Sequence, residues 1–377
     1  MTIILFLVVL AVLIFVHELG HFVVAKKSGI RVDEFAIGFP PKIFSWTRGE
    51  TKYSLNLIPF GGYVKIFGEN PDEESTTGAD SKRSFVNAKK WRQAAVLLAG
   101  IGMNIIFAWV LISVSFMFGS LRPVGDGVSG YSKYIKESQV VLIGVAVDSP
   151  AQKAGLKQGD RLVSILISNI KDKVLLQGEY LTTGNISNEI ITSNGPISVV
   201  YERGGQDIKV QIVPELNKIE NKKVIGIYME NVGIVKLNPF LAFWEGGKET
   251  INNFKQVAVG LGSFLWKAVR GQGDFSQVSG PVGIVGMVGD AASFGFAYLL
   301  GFVAFISLNL AVINLIPFPA LDGGRVLFVI IEAIIRRPIN PKIANLLNAA
   351  GFFILISLMF IITYRDIMKL PAIAKLF

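Results

Sequence analysis

Apolar residues gather in this chain into a few long unbroken runs rather than the short stripes of a water-soluble fold. Residues 2–25, 93–118, 296–335 and 344–364 are each long enough to cross about 30 Å of hydrocarbon, which takes about 20 helical residues. The pattern predicts four transmembrane helices with both chain ends on one side. The third run is too long for one ordinary span, and Pro317-Phe318-Pro319-Ala320-Leu321-Asp322-Gly323-Gly324 interrupts it with residues that do not continue a helix. Broken backbone is tolerated at membrane depth only where it lines a cavity or packs against protein, so residues 314–324 are expected to belong to a site.

Between residues 119 and 236 the pattern changes to short alternating runs, 140–147, 197–201 and 208–213, with turn residues between them. That is the signature of one small β-rich domain. Residues 53–67 (YSLNLIPFGGYVKIF) read as two apolar strands joined at Pro59-Phe60-Gly61-Gly62, a hairpin apolar enough to dip into the membrane. A polar, acidic stretch follows at 69–82. Residues 240–270 mix Trp244, Phe254, Phe264 and Trp266 with Lys248, Lys255 and Lys267, as an amphipathic segment at the outer interface would. The expected division is 1–118 (two helices and the hairpin), 119–236 (sheet domain), 237–295 (interfacial segment) and 296–377 (two helices). The fold class is then a polytopic α-helical membrane protein with a membrane-associated β-hairpin and one inserted extracytoplasmic α+β domain.

Composition agrees with this reading, at 51% hydrophobic and 17% charged residues and a mean hydropathy of +0.51. The net charge of +9 could suggest nucleic acid, but the basic residues flank the apolar runs. Lys26, Lys27 and Arg31 follow the first, Lys82, Arg83, Lys89, Lys90 and Arg92 precede the second, and Arg336, Arg337 and Lys342 lie between the last two. The positive-inside rule puts loops 26–92 and 336–343 in the cytoplasm and 119–295 outside, with both termini outside. Arg365, Lys369 and Lys375 oppose it weakly. No nucleic-acid partner is expected; the partner surface is the bilayer. The first run has no basic residue before it and no small-residue cleavage site, so it reads as a retained helix rather than a signal peptide.

With no cysteine in the chain, a metal would have to be held by His, Asp or Glu. His17-Glu18-Leu19-Gly20-His21 places two imidazoles at i and i+4 on one helix face, where they can grip a zinc ion, and Glu18 beside them can take a proton from water. These are the only two histidines in the sequence. Ionisable groups in hydrocarbon cost several kcal/mol unless paired or coordinated. A catalytic zinc needs a third protein ligand and an open position. Asp322, in the broken run, is the candidate, because it and the histidines fall at similar depth toward the cytoplasmic side. Glu332 lies nearer the boundary and is expected to be a solvated or paired end residue. Asn314 is a candidate donor to the oxyanion of a tetrahedral intermediate, with interhelical hydrogen bonding as its other reading.

Together these motifs resemble the site-2 protease family of M50-type intramembrane zinc metalloproteases, in its bacterial RseP-like branch. His17 to His21 resembles the first metal motif of that family. Asn314-Leu-Ile-Pro317-Phe-Pro319-Ala-Leu321-Asp322-Gly323 is similar to the second, whose aspartate is the third ligand. Gly38-Phe39, Gly61-Gly62 and Ser279-Gly280-Pro281-Val282-Gly283-Ile284 look like further family features. The run from Val145 to Val163 resembles the PDZ domains of bacterial proteases, with a short helix opening at Ser149-Pro150 and ending at Gly155. The resemblance implies a bacterial inner-membrane enzyme that cuts single-span membrane proteins, such as anti-sigma factors or remnant signal peptides, after a site-1 protease has trimmed them. It also implies that the hairpin adds a strand to an unwound substrate. Only one PDZ-like domain fits, Pro40 stands where glycine is common, and Ile101 stands where proline is common. Two other classes remain open at this point: an inactive membrane-anchored PDZ scaffold, which would not need these ionisable groups, and a metal or proton transporter, which usually shows repeat symmetry.

Overall fold

The computed structural model describes residues 1–124, 134–168, 173–193, 195–217, 222–273 and 278–368. Lys369 and Lys375 lie outside them. In chain order the elements are α1 (Thr2–Lys27), β1 (Val32–Arg48), β2 (Thr51–Ile66), the short α2 (Glu73–Thr77) and α3 (Lys90–Phe118). Then follow β3 (Ser120–Pro123), β4 (Ile135–Val145), α4 (Pro150–Lys153), β5 (Arg161–Ser168), β6 (Lys173–Gln177), α5 (Thr183–Thr192), β7 (Ile197–Arg203), β8 (Gln206–Ile212), β9 (Glu215–Asn217), β10 (Lys222–Val224) and β11 (Ile227–Val235). The chain closes with α6 (Pro239–Val269), α7 (Pro281–Ser293), α8 (Phe296–Leu315), α9 (Asp322–Ile335) and α10 (Pro341–Met368). Two compact units contain these elements: Met1–Ser113, Phe243–Gly289 and the chain from Leu300 onward form one, and Val114–Ala242 with Asp290–Leu299 the other.

Among the described residues, α1, α3, α8 and α10 are the helices long and apolar enough to cross a membrane. The buried residues of α1 are Phe6, Val9, Leu13, Val16, His17, Gly20, His21 and Ala25, spaced by three and four, so one stripe faces protein. Ile3, Ile4 and Val8 on other faces are exposed. Both histidines therefore sit on the protein-facing stripe. α1 and α3 approach at glycine: a Cβ on Gly20 would stand 2.4 Å from the Ala99 carbonyl oxygen. Small residues at such crossings let backbones of membrane helices touch. Ala25, Ile30, Val32, Phe35, Val64, Ile66, Phe85, Val96, Leu97 and Val329 form one buried cluster that joins α1, β1, β2, α3 and α9.

The break in the third apolar run is where the sequence puts it, but it is shorter. α8 ends at Leu315, Pro317 to Leu321 are non-helical with Ala320 at φ 75°, and α9 begins at Asp322. Gly323 and Gly324, expected within the break, lie in the first turn of α9. Their role is close approach: Cβ atoms there would stand 2.3 Å from the Ile316 carbonyl oxygen and 2.2 Å from that of Phe318. α10 holds the same loop, because Asn348 Oδ1 accepts from the Ala320 amide at 3.2 Å. Glu332 is a paired end residue, 2.6 Å from Lys90 Nζ.

The hairpin differs from expectation. Its turn is Gly49-Glu50 rather than Pro59 to Gly62, and the latter residues run on within β2. Gly49 at φ 65° supplies the positive dihedral that a two-residue turn between paired Arg48 and Thr51 needs. The strands then fold back, so that Ile37 is partnered by both Gly62 and Leu55, and Phe35 by both Val64 and Tyr53. Phe39, Ile43, Phe44, Trp46, Leu57 and Ile58 leave an exposed apolar surface on this element.

Glu50 fastens the hairpin tip through Lys26 Nζ at 2.7 Å and Arg83 Nη1 at 2.7 Å. These two cations, Arg83 foremost, draw its carboxyl down to about 2. A depressed carboxyl stabilises above its unfolded pKa and loses that contribution as pH falls through the folded value. Protection of hairpin amides from hydrogen exchange is therefore expected to hold above about pH 4.5 and to decline between there and about pH 2. In Glu50→Gln that acid-dependent decline is expected to be absent.

The second unit is a sheet in the order β3-β11-β4-β5-β7-β8, with β6 paired to β5. Its core joins Leu142, Ile165, Ile167, Ile197, Val199 and Ile212 to Ile186 and Ile190 of α5. Ser149 caps α4 by accepting from the Gln152 amide, and Gly155 follows at φ 87°. Buried Asp160 receives Arg203 at 2.6 Å and the Lys157 amide at 2.8 Å.

Candidate active site

His17 and His21, one helical turn apart on α1, face the start of α9. His17 Nε2 and His21 Nε2 are 3.2 Å apart, and Asp322 Oδ2 stands 3.0 Å from the first and 3.3 Å from the second. Each imidazole is held from behind by α3. The backbone oxygen of Val96 lies 2.8 Å from His21 Nδ1, so Nδ1 donates and Nε2 is left with a lone pair. The Asn104 amide lies 3.1 Å from His17 Nδ1, and its Oδ1 is otherwise buried without a partner. Exchanging the amide's Nδ2, which is placed toward the ring, with its Oδ1 lets Oδ1 accept Nδ1–H and leaves Nε2 of His17 bare as well.

With these tautomers three lone-pair atoms converge with no proton between them, and Asp322 Oδ2 has no hydrogen-bond donor beyond the two Nε2 positions. Such an arrangement repels itself unless a cation sits among the three. Their separations also suit one: at bond lengths of about 2.0–2.1 Å, the edges of a tetrahedral zinc site are about 3.3–3.4 Å. These are the residues among those described that could hold a metal ion as a group of three or more. Nitrogen and carboxylate donors in this number leave the fourth position open.

The donors open onto a cavity of about 270 Å³ that is also lined by Glu18, Tyr63, Val64, Ile66, Glu69, Leu97, Ala320 and Arg325. Glu18 and Val64 of β2 line the same cavity, which places the base candidate beside that strand. The structure thus brings together His17, Glu18, His21 and Asp322. Asn314 is not among the lining residues; it sits half-buried in the last turn of α8. Asn104 and Gly100 are functional candidates that the sequence reading did not assign. An amide in an apolar span, like the histidines, needs a partner to offset its burial.

Residues 5–358 match peptidase family M50. The chain belongs to this family. This M50 peptidase is 33% identical over 362 residues to a Clostridium acetobutylicum protein provisionally named a zinc metalloprotease, covering 94% of each chain. A Rhizobium meliloti protein of the same provisional name is 33% identical over 385 residues, covering 96% of this chain and 95% of its own. The Bacillus subtilis regulator of sigma-W protease RasP is 29% identical over 447 residues, covering 98% and 99%.

Removing the Asn104 side chain is expected to leave His17 free to turn. Asn104→Ala should weaken zinc binding about 10–100-fold, the usual cost of losing an outer-sphere partner. Titration of the purified variant with a competing chelator reads this directly, and an affinity equal to that of the parent would mean Asn104 does not position His17.

Proposed function

We propose that this M50 peptidase is a zinc-dependent endopeptidase of the membrane, with His17, His21 and Asp322 holding the ion and Glu18 acting as the base. The observation that carries the reading is the convergence of three bare donor atoms within about 3.3 Å of one another beside a carboxylate. When bound there, zinc polarises a peptide carbonyl and brings the acidity of a water toward neutral pH.

The side chains supply the rest. Glu18, beside Val64 of β2 on the cavity wall, accepts a proton from water and returns it to the leaving nitrogen. Asp322 and the two imidazoles orient the site, the imidazoles held by the Val96 backbone oxygen and the Asn104 amide. The segment Tyr63 to Ile66 flanks the cavity as strand backbone, so an unwound substrate can pair with it. Helical peptide would be a poor substrate, because its carbonyls are engaged in the helix.

We read α1, α3, the α8–α9 pair and α10 as spans of a bacterial inner-membrane protein, with both termini and the sheet unit outside and the hairpin on the cytoplasmic side. Flanking basic residues support this orientation. The exposed apolar hairpin surface and the exposed Phe240, Phe243, Trp244 and Trp266 of α6 suit a lipid interface. We read the sheet unit as PDZ-like from its capped α4, the α5 against the sheet and its size. The substrates are single-span membrane proteins already shortened outside by another protease. An anti-sigma factor fits, in line with the name of the Bacillus subtilis relative.

The test is cleavage of a single-span substrate by the purified chain in liposomes. Chelation should stop cutting and zinc should restore it, whereas cutting that persists without metal would refute the proposal.

A further inference from the structure

The cavity around the donor atoms carries one charged group that hydrolysis as described does not use. Of the described residues lining it, Arg325 is the only cation, against Glu18, Glu69 and Asp322. Arg325 follows Asp322 by three residues on α9, which puts the two on one helix face. Its guanidinium pairs with Glu69, from the loop after β2, and shares the cavity wall with Glu18. Both members of the pair also line a second cavity, whose wall includes Gln93, Glu332, Asn345 and Asn348. The ion pair thus stands at the partition between two cavities. With side chains 36% and 19% exposed, it is open to exchange rather than sealed in a core.

Peptide hydrolysis adds the oxygen of water to the carbonyl carbon, breaks the C–N bond and delivers a proton to nitrogen. At neutral pH the products are a carboxylate and an ammonium. The carboxylate is formed beside Glu18 and Asp322, and a planar guanidinium matches it with two parallel hydrogen bonds. We infer that Arg325 is a substrate-binding residue that takes the carboxylate of the newly formed C-terminus, and that Glu69 occupies the guanidinium until that carboxylate displaces it. The inference rests on the peptidase reading above.

The experiment compares binding of one apolar fluorescent peptide, made with a free C-terminal carboxylate or with a C-terminal amide, to the zinc-loaded full chain. A Glu18→Gln background prevents turnover, and zinc contributes equally in every variant, so differences between variants report on Arg325. The carboxylate peptide is expected to bind about tenfold more tightly, as for a charge-assisted pair in a partly exposed site. Arg325→Gln should abolish that preference, and Glu69→Gln should increase it by removing the competitor. An ion pair that only braces the fold would leave the ratio of the two affinities unchanged in both variants, which would overturn the inference. Should Arg325→Gln fail to fold, Glu69→Gln decides alone: a rising ratio supports the role, and an unchanged or falling one refutes it. Equal binding of the two peptides by the parent removes the role of Arg325 only. Failure of the parent to bind either peptide counts against the peptidase reading, and the inference falls with it.

Discussion

Glu18→Gln is expected to abolish peptide hydrolysis while the zinc content stays at that of the parent. The substitution keeps side-chain volume and leaves His17, His21 and Asp322 untouched, so the donor triangle with edges of 3.2, 3.0 and 3.3 Å survives. What disappears is the acceptor for the proton of water, a function worth about 10²–10⁴ in rate. Cleavage of a fluorogenic transmembrane substrate, measured beside metal content, separates the two properties. Undiminished cutting would show that another group is the base.

A Cβ at position 100 should be nearly as damaging, by a different route. Gly100 lies where α3 crosses the imidazoles, and a methyl there would stand 2.4 Å from His21 Nε2 and 2.8 Å from His17 Cε1. Neither ring can simply swing aside, because Val96 and Asn104 hold their far nitrogens. Gly100→Ala therefore has to move the donors or part the helices. Loss of stoichiometric zinc is expected, and with it at least about 100-fold of activity. Gly102→Ala is the control, since nothing lies within 4 Å of a Cβ at that position. If both variants kept zinc and activity, the close fit of α3 against the imidazoles would be immaterial to the site.

Much of this architecture is legible in the sequence because membranes impose simple rules. Twenty apolar residues must be helical, and a pair of prolines inside such a run must break it, so α1, α3, α8 and α10 and the gap before Asp322 could be read directly. The i and i+4 spacing of His17 and His21 fixes their common face, and depth along the apolar runs singles out Asp322 over Glu332. The hairpin was harder. Pro59-Phe60-Gly61-Gly62 has the composition of a turn, yet the pairing of Phe35 and Ile37 with two segments each keeps it inside a strand, and that tertiary pairing leaves no local trace. Gly49-Glu50 makes the turn instead, a weaker signal among charged neighbours.

The outer partners of the site were legible only in part. Asn314 and Asn104 are both amides in apolar runs, and spacing from Asp322 favours the first. Only packing of α3 on α1 reveals that the second reaches His17. Gly100, likewise, looks like any small residue in a span until the imidazoles behind it are seen. Arg325 sits in the turn after the break, and its place beside the donors depends on α9 restarting at Asp322 rather than beyond the two glycines.

X-ray absorption at the zinc edge of the purified full-length protein, with metal content determined on the same sample, bears most directly on the metal site. One zinc per chain is expected, coordinated by two imidazole nitrogens and carboxylate oxygen, with the metal lost or the oxygen shell altered in Asp322→Ala. A protein that purifies without zinc, or an unchanged spectrum and content in Asp322→Ala, would contradict the assignment of His17, His21 and Asp322 to a single ion.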